Sequence, residues 1–434
     1  MTPIEIGILI IILLFILLII RLPVGISLIV AAVFGNTLLT SPGPALTQMG
    51  AQVVEVTQNH NLAVIPLFVL MGVFLTKTNI GAALYDLMNY FFGQRKGGIA
   101  ATTFGASVMF AAVSDSVCTT ESSLTPASVR EMKNHKYEEG FATGITNFGV
   151  SMGMLIPPGI ALIVYGFLVD ESISALILAG IIPGILVAIL LMLTILIVVK
   201  LKPKLAPEAI KEKIPFPWQA LKFVWIVPFI FLIVFGSLYR GWTTPVEAGA
   251  IGAFASLVFS LLTKQMTVKL FVDSLVSSAK TTGMLFFIII GGSMFSIFLT
   301  RSLIPSALSQ WFTTFDVAPI IIMLFLLLVY AVLGLFIDKL ATLVIMTPIV
   351  YPIVISLGYN GIWFGVMTII MLMAGLRIPQ AVTGNLAKLS VDGASSKKIF
   401  AAQLPFLIPL LVAFIIIAAF PLIATSLPSM MRGW

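Results

Sequence analysis

The sequence predicts an all-α polytopic membrane protein with inverted-topology repeats, each containing a re-entrant hairpin and a broken helix. Three observations predict this class: composition, an internal duplication and the placement of basic residues. Of the 434 residues, 59% are hydrophobic and 9% are charged, and the mean hydropathy is +1.14. A soluble globular chain carries about 25% charged residues. Apolar runs of about 20 residues, long enough to cross ~30 Å of hydrocarbon, recur along the chain and indicate membrane-spanning helices.

An internal duplication relates residues 113–159 to residues 336–381. Each segment carries an aspartate, then Thr-Pro, then Ile-Pro, and the two proline landmarks have the same spacing in both copies. An upstream pair supports the match, because FLTKTNIGAAL begins at Phe74 and FLTRSLIPSAL begins at Phe298. Several landmarks in the same order predict two structural repeats.

The N-terminal part of the chain predicts scaffold helices. Residues 4–20 are interpreted as a retained helix, because no basic segment precedes this apolar run and no small-residue cleavage site ends it. Residues 22–39 predict a second helix, and residues 40–61 are interpreted as a polar loop. Residues 62–75 predict a third helix, which an amphipathic helix at residues 82–92 follows.

The first repeat contains an interrupted hairpin and an interrupted helix. A hairpin is predicted at about residues 99–132, because its first apolar arm is too short to span and a cluster of Ser, Thr, Asp and Glu follows it. Residues 141–168 are long enough to span but contain Gly153 and the pair Pro157-Pro158. Paired prolines remove two backbone donors and break a helix, so the freed carbonyl groups need other partners.

The second repeat has the same parts. Its hairpin is predicted at about residues 319–356, with the tip near Asp338, and its broken helix at residues 361–387. The other predicted spans are residues 173–199, 223–239, about 241–264, 283–300 and about 405–423. The predicted division is scaffold helices at 1–61, the first repeat at 62–200, a basic cytoplasmic loop and scaffold helices at 201–280, and the second repeat at 281–425. Each repeat comprises a scaffold arm, the hairpin and the broken helix, and the second also contains the last helix.

Basic residues agree with one orientation in the membrane. If the lysine-rich loop at residues 200–213 is cytoplasmic, counting helices places the other basic clusters on the same side. These clusters are Arg21, Arg95-Lys96, Lys133–Lys136, Lys264–Lys269 and Lys388–Lys398. The N-terminus and residues 40–61 then lie outside, and the two hairpins enter from opposite sides. Inverted repeats are typical of secondary transporters, and the net charge of +7 requires no nucleic-acid partner.

Charged residues inside the predicted membrane region are candidate functional groups, because such charges are costly and usually line a pathway or pair with each other. The candidates are Asp115, Glu121, Asp338, Lys339, Arg377 and Lys388. Structural roles remain open for five of them. Asp115 could cap a helix, Asp338 and Lys339 could neutralise each other, Glu121 could pair with a nearby base, and Lys388 could anchor a helix end. A structural role explains Arg377 less well, because Arg377 lies beside the predicted helix break and far from either end of a span.

The two hairpin tips and two broken helices would meet near the middle of the membrane. Unwound carbonyl groups and Ser or Thr hydroxyls can replace the oxygen shell of a small hard cation, and the positive ends of half-helices can face an anionic substrate. The sequence has no transition-metal ligand spacing and no phosphate-binding loop of the Walker type. It therefore shows no ATP-driven engine of its own.

Several motifs resemble one transporter family in order and spacing. They are LAVIPLFVLMG (Leu62–Gly72), the tip Ser114–Ser116, GMLIPPG (Gly153–Gly159), GWTTPVEAG (Gly241–Gly249) and GLFIDKLATLVIMTPIVYPI (Gly334–Ile353). Over nearly the whole chain the sequence resembles the large membrane subunit of tripartite ATP-independent periplasmic (TRAP) transporters, the DctM-like family. The resemblance implies an elevator-type ion-transporter fold and no enzymatic activity.

The same resemblance implies import of a small organic anion, a carboxylate or sulfonate, across the bacterial inner membrane with Na+ as the coupling ion. It implies two partner proteins, a small four-helix membrane subunit (Q type) and a periplasmic substrate-binding protein (P type). A single-chain ion- or proton-coupled organic anion carrier of the same superfamily is the nearest alternative. A remote alternative is an intramembrane aspartyl enzyme using Asp115 and Asp338, although the Gly-x-Gly-Asp context of such enzymes is absent.

The resemblance also implies positions for two sodium sites and a substrate site. The first-repeat ion site would involve Ser114, Asp115, Ser116 and carbonyl groups near Gly153 and Ile156. The second-repeat ion site would involve Asp338, Thr342 and carbonyl groups near Gly375 and Ile378. The substrate would lie between the tips, near Pro157, Pro158, Arg377, Pro379, Gln380 and Thr383.

The chain departs from the family pattern in two of these places. The first tip has Asp115 between two serines, where the family usually has Ser-Gly-Ser. The second break has Arg377, Ile378 and then Pro379-Gln380, where the family usually has Thr-Pro-Pro. One hypothesis is that Arg377 takes the place of a cation or pairs with Asp115. The other is that its guanidinium binds a substrate carboxylate or sulfonate directly, since that group suits bidentate anion contact.

Overall fold

The structure is a computed structural model, and it describes the chain apart from residues 115–127, 130–131, 203–204, 206–214, 315–316, 376–395 and 432–434. In the described part, the secondary structure is helical and contains no strand. Among the described residues, six helical stretches are long and apolar enough to cross a membrane, or seven if one pair of helices bent by 54° forms a single span. The predicted all-α polytopic class is therefore confirmed.

Twenty α-helices have described bounds and are numbered here in chain order. The first ten are α1 Pro3–Ile19, α2 Val24–Leu39, α3 Pro42–Gln58, α4 Val64–Thr76, α5 Ile80–Phe92, α6 Gly98–Ser114, α7 Glu139–Ser151, α8 Ile160–Val169, α9 Ile173–Ala179 and α10 Ile181–Leu201. The last ten are α11 Trp218–Val224, α12 Ile226–Tyr239, α13 Pro245–Leu262, α14 Val268–Arg301, α15 Ile304–Thr313, α16 Pro319–Phe336, α17 Lys339–Ser356, α18 Gly361–Ala374, α19 Ser396–Ala419 and α20 Leu422–Ser429.

The prediction of a polar loop at residues 40–61 is wrong, because most of this segment forms α3. Its prolines lie in the first turn of the helix, where a missing backbone N–H costs no hydrogen bond. Ala45, Met49 and Val56 are buried on one side, and most of the polar residues remain exposed. The segment is therefore an amphipathic helix, which packs against α2 and α14.

Several other predicted helices occur with different bounds. The span predicted at residues 173–199 is divided at Gly180 into α9 and α10. A side chain at Gly180 would collide with the backbone carbonyl oxygen of Leu155, so glycine lets the chain pass close to the first break. The span predicted at 223–239 starts earlier and is divided at Trp225, and the last helix starts at Ser396 rather than near residue 405.

The scaffold helices pack around two central pairs, α2 with α14 and α4 with α13. A Cβ on Gly291 of α14 would lie 2.8 Å from the carbonyl oxygen of Gly25 in α2, so these two backbones approach closely. The hairpin arms and broken helices pack beside this scaffold. Helix α14 also contacts α17, which links the scaffold to the second hairpin.

Both predicted interruptions in the described part are present. In the first repeat, α7 ends at Ser151, a short 3-10 helix occupies Met152–Met154, and α8 begins at Ile160. In the second repeat, α16 and α17 form a hairpin whose tip is Ile337-Asp338. Helix α18 ends at Ala374, so the interruption predicted at residues 377–380 lies outside the described residues.

Candidate functional site

The first-repeat break lies between α7 and α8 and has little regular backbone hydrogen bonding. The carbonyl oxygen of Met152 accepts from the N–H of Leu155 at 3.0 Å and from that of Ile156 at 2.8 Å. Pro157 and Pro158, joined by a cis peptide bond, are buried, and Ile156 is half-buried. The chain thus turns through a short unwound segment inside the protein, where the sequence predicted it.

Each of the two predicted break glycines lies against the first arm of its own hairpin. A Cβ on Gly153 would lie 3.0 Å from the carbonyl oxygen of Ala111 in α6. A Cβ on Gly375 would lie 3.3 Å from the carbonyl oxygen of Ala331 in α16. The two repeats therefore use equivalent glycines for the same close approach, which in each repeat brings the end of a helix against the first arm of a hairpin.

The tip of the second hairpin is organised by Asp338. This residue is the N-cap of α17, and its Oδ1 accepts from the backbone N–H of Leu340 at 3.0 Å and of Ala341 at 3.4 Å. The hydroxyl of Thr342 donates to the Asp338 carbonyl oxygen at 3.0 Å. The Asp338 side chain is exposed, whereas Thr342 is buried. The carboxylate of Asp338 is thus held in place by the start of the helix that it caps.

Lys339 connects the second hairpin to the first repeat. Its side chain is only 7% exposed, and its Nζ donates to the hydroxyl oxygen of Ser151 at 3.2 Å. Ser151 is the last residue of α7 and in turn donates to the carbonyl oxygen of Asn147 at 2.8 Å. A buried ammonium group thus lies at the edge of the first-repeat break, although it belongs to the second repeat.

A polar face of α7 surrounds this contact. Asn147 and Ser151 are four residues apart and therefore share a helix face. Asn147 is 5% exposed, and neither its amide oxygen nor its amide nitrogen has a hydrogen-bond partner among the described residues. Sequence reasoning missed Asn147 and Ser151. The signal that could have found them is the polar series Thr143, Asn147, Ser151 in an otherwise apolar segment.

Two further hydrogen bonds join the repeats at the far end of α8. The hydroxyl of Tyr165 donates to the carbonyl oxygen of Gly361 at 2.8 Å, and that of Tyr351 donates to Glu171 Oε1 at 2.9 Å. Gly365 leaves room for the Tyr165 ring, because a Cβ on Gly365 would lie only 2.6 Å from Cε1 of Tyr165. Both contacts join the first repeat to the second hairpin and its following helix.

A polar cavity of about 790 Å³ lies between this end of the repeats and the scaffold. One wall is formed by α3 and α14, and the other by the end of α8 and the start of α9. Its polar lining includes Gln52, Glu55, Asn59, Asp170, Glu171 and Ser172. The helix that sequence reasoning missed, α3, therefore contributes one wall of this cavity.

The structure brings together part of the predicted site. Gly153, Ile156, Pro157 and Pro158 lie in the first break, and Asp338 and Thr342 lie at the second tip, with Gly375 at the end of α18. Ser114 is the last residue of α6. The other predicted site residues lie outside the described residues, namely Asp115, Ser116, Arg377, Ile378, Pro379, Gln380 and Thr383.

The helical spans, the hairpin and the broken helix define the class of protein as a polytopic helical membrane protein. The fold is similar to two solved structures. The YdaH transporter of Alcanivorax borkumensis matches with a TM-score of 0.64 at 14% identity, and the match covers 88% of this chain and 90% of the YdaH chain. MtrF of Neisseria gonorrhoeae matches with a TM-score of 0.63 at 13% identity, and the match covers 96% of this chain and 95% of the MtrF chain.

A family model described as the tripartite ATP-independent periplasmic transporter, DctM component, matches residues 11–423. The chain belongs to this family, the large membrane subunits of TRAP transporters. It is 28% identical to the sialic acid TRAP transporter large permease protein SiaM of Vibrio cholerae, over 95% of this chain and 96% of that one. It is 30% identical to the C4-dicarboxylate TRAP transporter large permease protein DctM of Pseudomonas aeruginosa, over 90% of this chain and 91% of that one. The predicted family is therefore confirmed.

Proposed function

We propose that this chain imports a small organic anion across the bacterial inner membrane by secondary active transport coupled to Na+. The substrate arrives on a periplasmic binding protein, and a small four-helix membrane subunit completes the complex. Relatives named as sialic acid and C4-dicarboxylate TRAP permeases support an anionic substrate. A relative named as an isethionate TRAP permease, 27% identical over 82% of this chain, extends that support to sulfonates.

The observation that carries this proposal is the close approach of each predicted break glycine to a hairpin. Gly153 lies against α6 just before the first break, and Gly375, the C-cap of α18, lies against α16. Unwound backbone inside a membrane is stable only where protein or a water-filled cavity surrounds it, and there it can coordinate an ion. The second ion site of this proposal comprises Asp338, Thr342 and the backbone near Gly375.

An elevator movement of the two repeats against the scaffold is part of the same proposal. The hydrogen bonds Tyr165–Gly361 and Tyr351–Glu171 favour movement of both repeats as one unit. The cavity lies between that unit and the scaffold, where a sliding boundary is required. Cysteines at Glu55 and Ser172, on opposite walls and with Cys118 replaced by serine, test the movement. A bifunctional thiol crosslinker should arrest uptake, whereas continued uptake in the bridged protein would contradict an elevator.

Uptake by proteoliposomes tests the transport proposal. The chain is reconstituted with the small subunit and the binding protein from its own organism, and labelled C4-dicarboxylate, sialic acid and isethionate are offered in turn. An inward Na+ gradient should drive accumulation of at least one acid, and matched K+ or choline gradients should not. Uptake without either partner protein would instead support a single-chain carrier. Accumulation driven by a proton gradient alone would contradict sodium coupling.

The proposed orientation places the N-terminus in the periplasm. It is supported by the basic residues, which one orientation collects in the cytoplasm. A protease-cleavable tag at the N-terminus tests it in spheroplasts. Cleavage by protease added outside is expected, and protection of the tag until the membrane is opened would reverse the orientation.

A further inference from the structure

The buried ammonium of Lys339 stands in surroundings that favour a cation. It lies at the C-terminal end of α7, where the helix dipole presents partial negative charge. Because the Ser151 hydroxyl gives its proton to the Asn147 carbonyl, its oxygen lone pairs are available to the ammonium. Burial of a charge is costly unless such partners stabilise it. The end of α7 therefore supplies oxygen ligands for a positive charge.

A second, independent observation comes from Asn147. Within the part of the chain that the structure describes, its buried carboxamide has no hydrogen-bond partner, and it lies one turn before Ser151 on the same helix face. Buried polar groups are normally paired, so an unpaired carboxamide indicates room for a ligand. A carboxamide oxygen is a good ligand for a hard cation. Ser151 and Asn147 thus offer two side-chain oxygens beside the unwound segment that begins at Met152.

We infer that Lys339 is a tethered cation for the first repeat, occupying with its ammonium group a polar site that would otherwise take a diffusible Na+. The inference rests on the proposed ion coupling and deepens it, because it assigns the two repeats different ion requirements. Sodium coupling then runs through the second-repeat site, at Asp338 and Thr342. Lysine suits the role because its ammonium is a compact point charge with three donors.

Counting bound sodium on the purified full-length chain tests the inference without substrate or partner proteins. Equilibrium dialysis with ²²Na+ is performed on the wild type and on Lys339→Ser, which removes the ammonium and leaves space for an ion. Lys339→Ser should bind one more Na+ per chain than the wild type. Adding Ser151→Ala to it should weaken the extra site by about tenfold or more, because one oxygen ligand is lost.

Lys280→Ser is the matched control, because Lys280 is an exposed lysine on α14. It should bind the same number of sodium ions as the wild type. An equal count in Lys339→Ser and the wild type would overturn the tethered-cation role. So would a variant that keeps the wild-type count but loses stabilisation by an organic anion, since Lys339 would then be a substrate ligand.

If Lys339→Ser is unstable, its recovery is compared in NaCl and in choline chloride at equal ionic strength. A variant that has lost its own cation should be monodisperse in NaCl and aggregate in choline chloride, whereas equal aggregation in both salts would overturn the inference. The outcome is separable from that of the transport proposal. One extra Na+ in the variant supports Lys339 even if the wild type binds none, and an unchanged count leaves wild-type sodium coupling intact.

Discussion

Gly153→Ala is expected to destabilise the protein by pushing the first break away from its hairpin. An added Cβ would lie 3.0 Å from the Ala111 carbonyl oxygen and 3.3 Å from the Ala111 Cβ. Neither atom can move by a rotamer change, so α6 or the break must shift. Such overpacking typically costs about 1–3 kcal/mol. The lower entropy of the unfolded chain offsets about 0.4–1 kcal/mol, which leaves a net loss of about 0.5–2 kcal/mol.

Thermal unfolding of the detergent-purified chain, followed by tryptophan fluorescence, measures this effect. Gly283→Ala in α14 is the matched control, because no atom lies within 4 Å of its added Cβ. Replacing a glycine inside a helix should leave the control unchanged or stabilise it by about 0.5–1 kcal/mol. The midpoint of Gly153→Ala should lie below those of the wild type and the control. A midpoint at or above that of Gly283→Ala would refute the close approach of break and hairpin.

Three further predictions concern contacts between and within the repeats. Tyr351→Phe should lower the free energy of unfolding by about 1.5–3 kcal/mol, because it removes a hydrogen bond to the Glu171 carboxylate. A double-mutant cycle with Glu171→Gln should show coupling between the two residues, and strictly additive effects on unfolding would contradict the contact. Asp338→Ala should lower the free energy of unfolding by about 0.5–2 kcal/mol, because α17 loses its N-cap, whereas Asp338→Ser should keep most of the stability. Both variants should be stabilised less than the wild type by NaCl relative to choline chloride. An unchanged response to NaCl would remove Asp338 from the ion site. The effects of Asp338→Ser and Lys339→Ser on unfolding should be additive within about 0.5 kcal/mol if the two charges act separately; a larger coupling would show that they neutralise each other.

The fold was predictable where apolar length and proline carry the signal. The first broken helix follows from Gly153 and the pair Pro157-Pro158, and the second hairpin follows from apolar arms on either side of Asp338. Helix α3 was not predicted, because its polar composition and early prolines resemble a loop. A proline at the start of a helix and a proline in a loop look alike until the burial of Ala45 and later residues is known.

The site was predictable only in part, because sequence landmarks identify unwound segments but not what reaches them. The equivalence of Gly153 and Gly375 was predictable, since both lie at matched positions of the duplication. The contact between Lys339 and Ser151 was not, because it joins residues far apart in the chain and depends on how the repeats pack. The charge of Lys339 inside the predicted membrane region made it a candidate, but the resemblance gave it no role, and its role is indicated by its burial and its contact with Ser151.

The duplication makes the two repeats similar in backbone but different in chemistry. Gly153 and Gly375 each lie close to a carbonyl group in the first arm of their own hairpin, yet the Lys339 ammonium group at the second tip contacts the first repeat. The two neighbouring, opposite charges therefore lie in different environments. The Asp338 carboxylate is exposed at the N-cap of α17, whereas Lys339 is buried beside Ser151. The ammonium group belongs to the second repeat, but its hydrogen-bond partner belongs to the first. Any movement that separates the repeats therefore exposes the ammonium group to its surroundings or leaves it buried without a partner. The contact therefore favours movement of the two repeats together, which is the behaviour that an elevator requires.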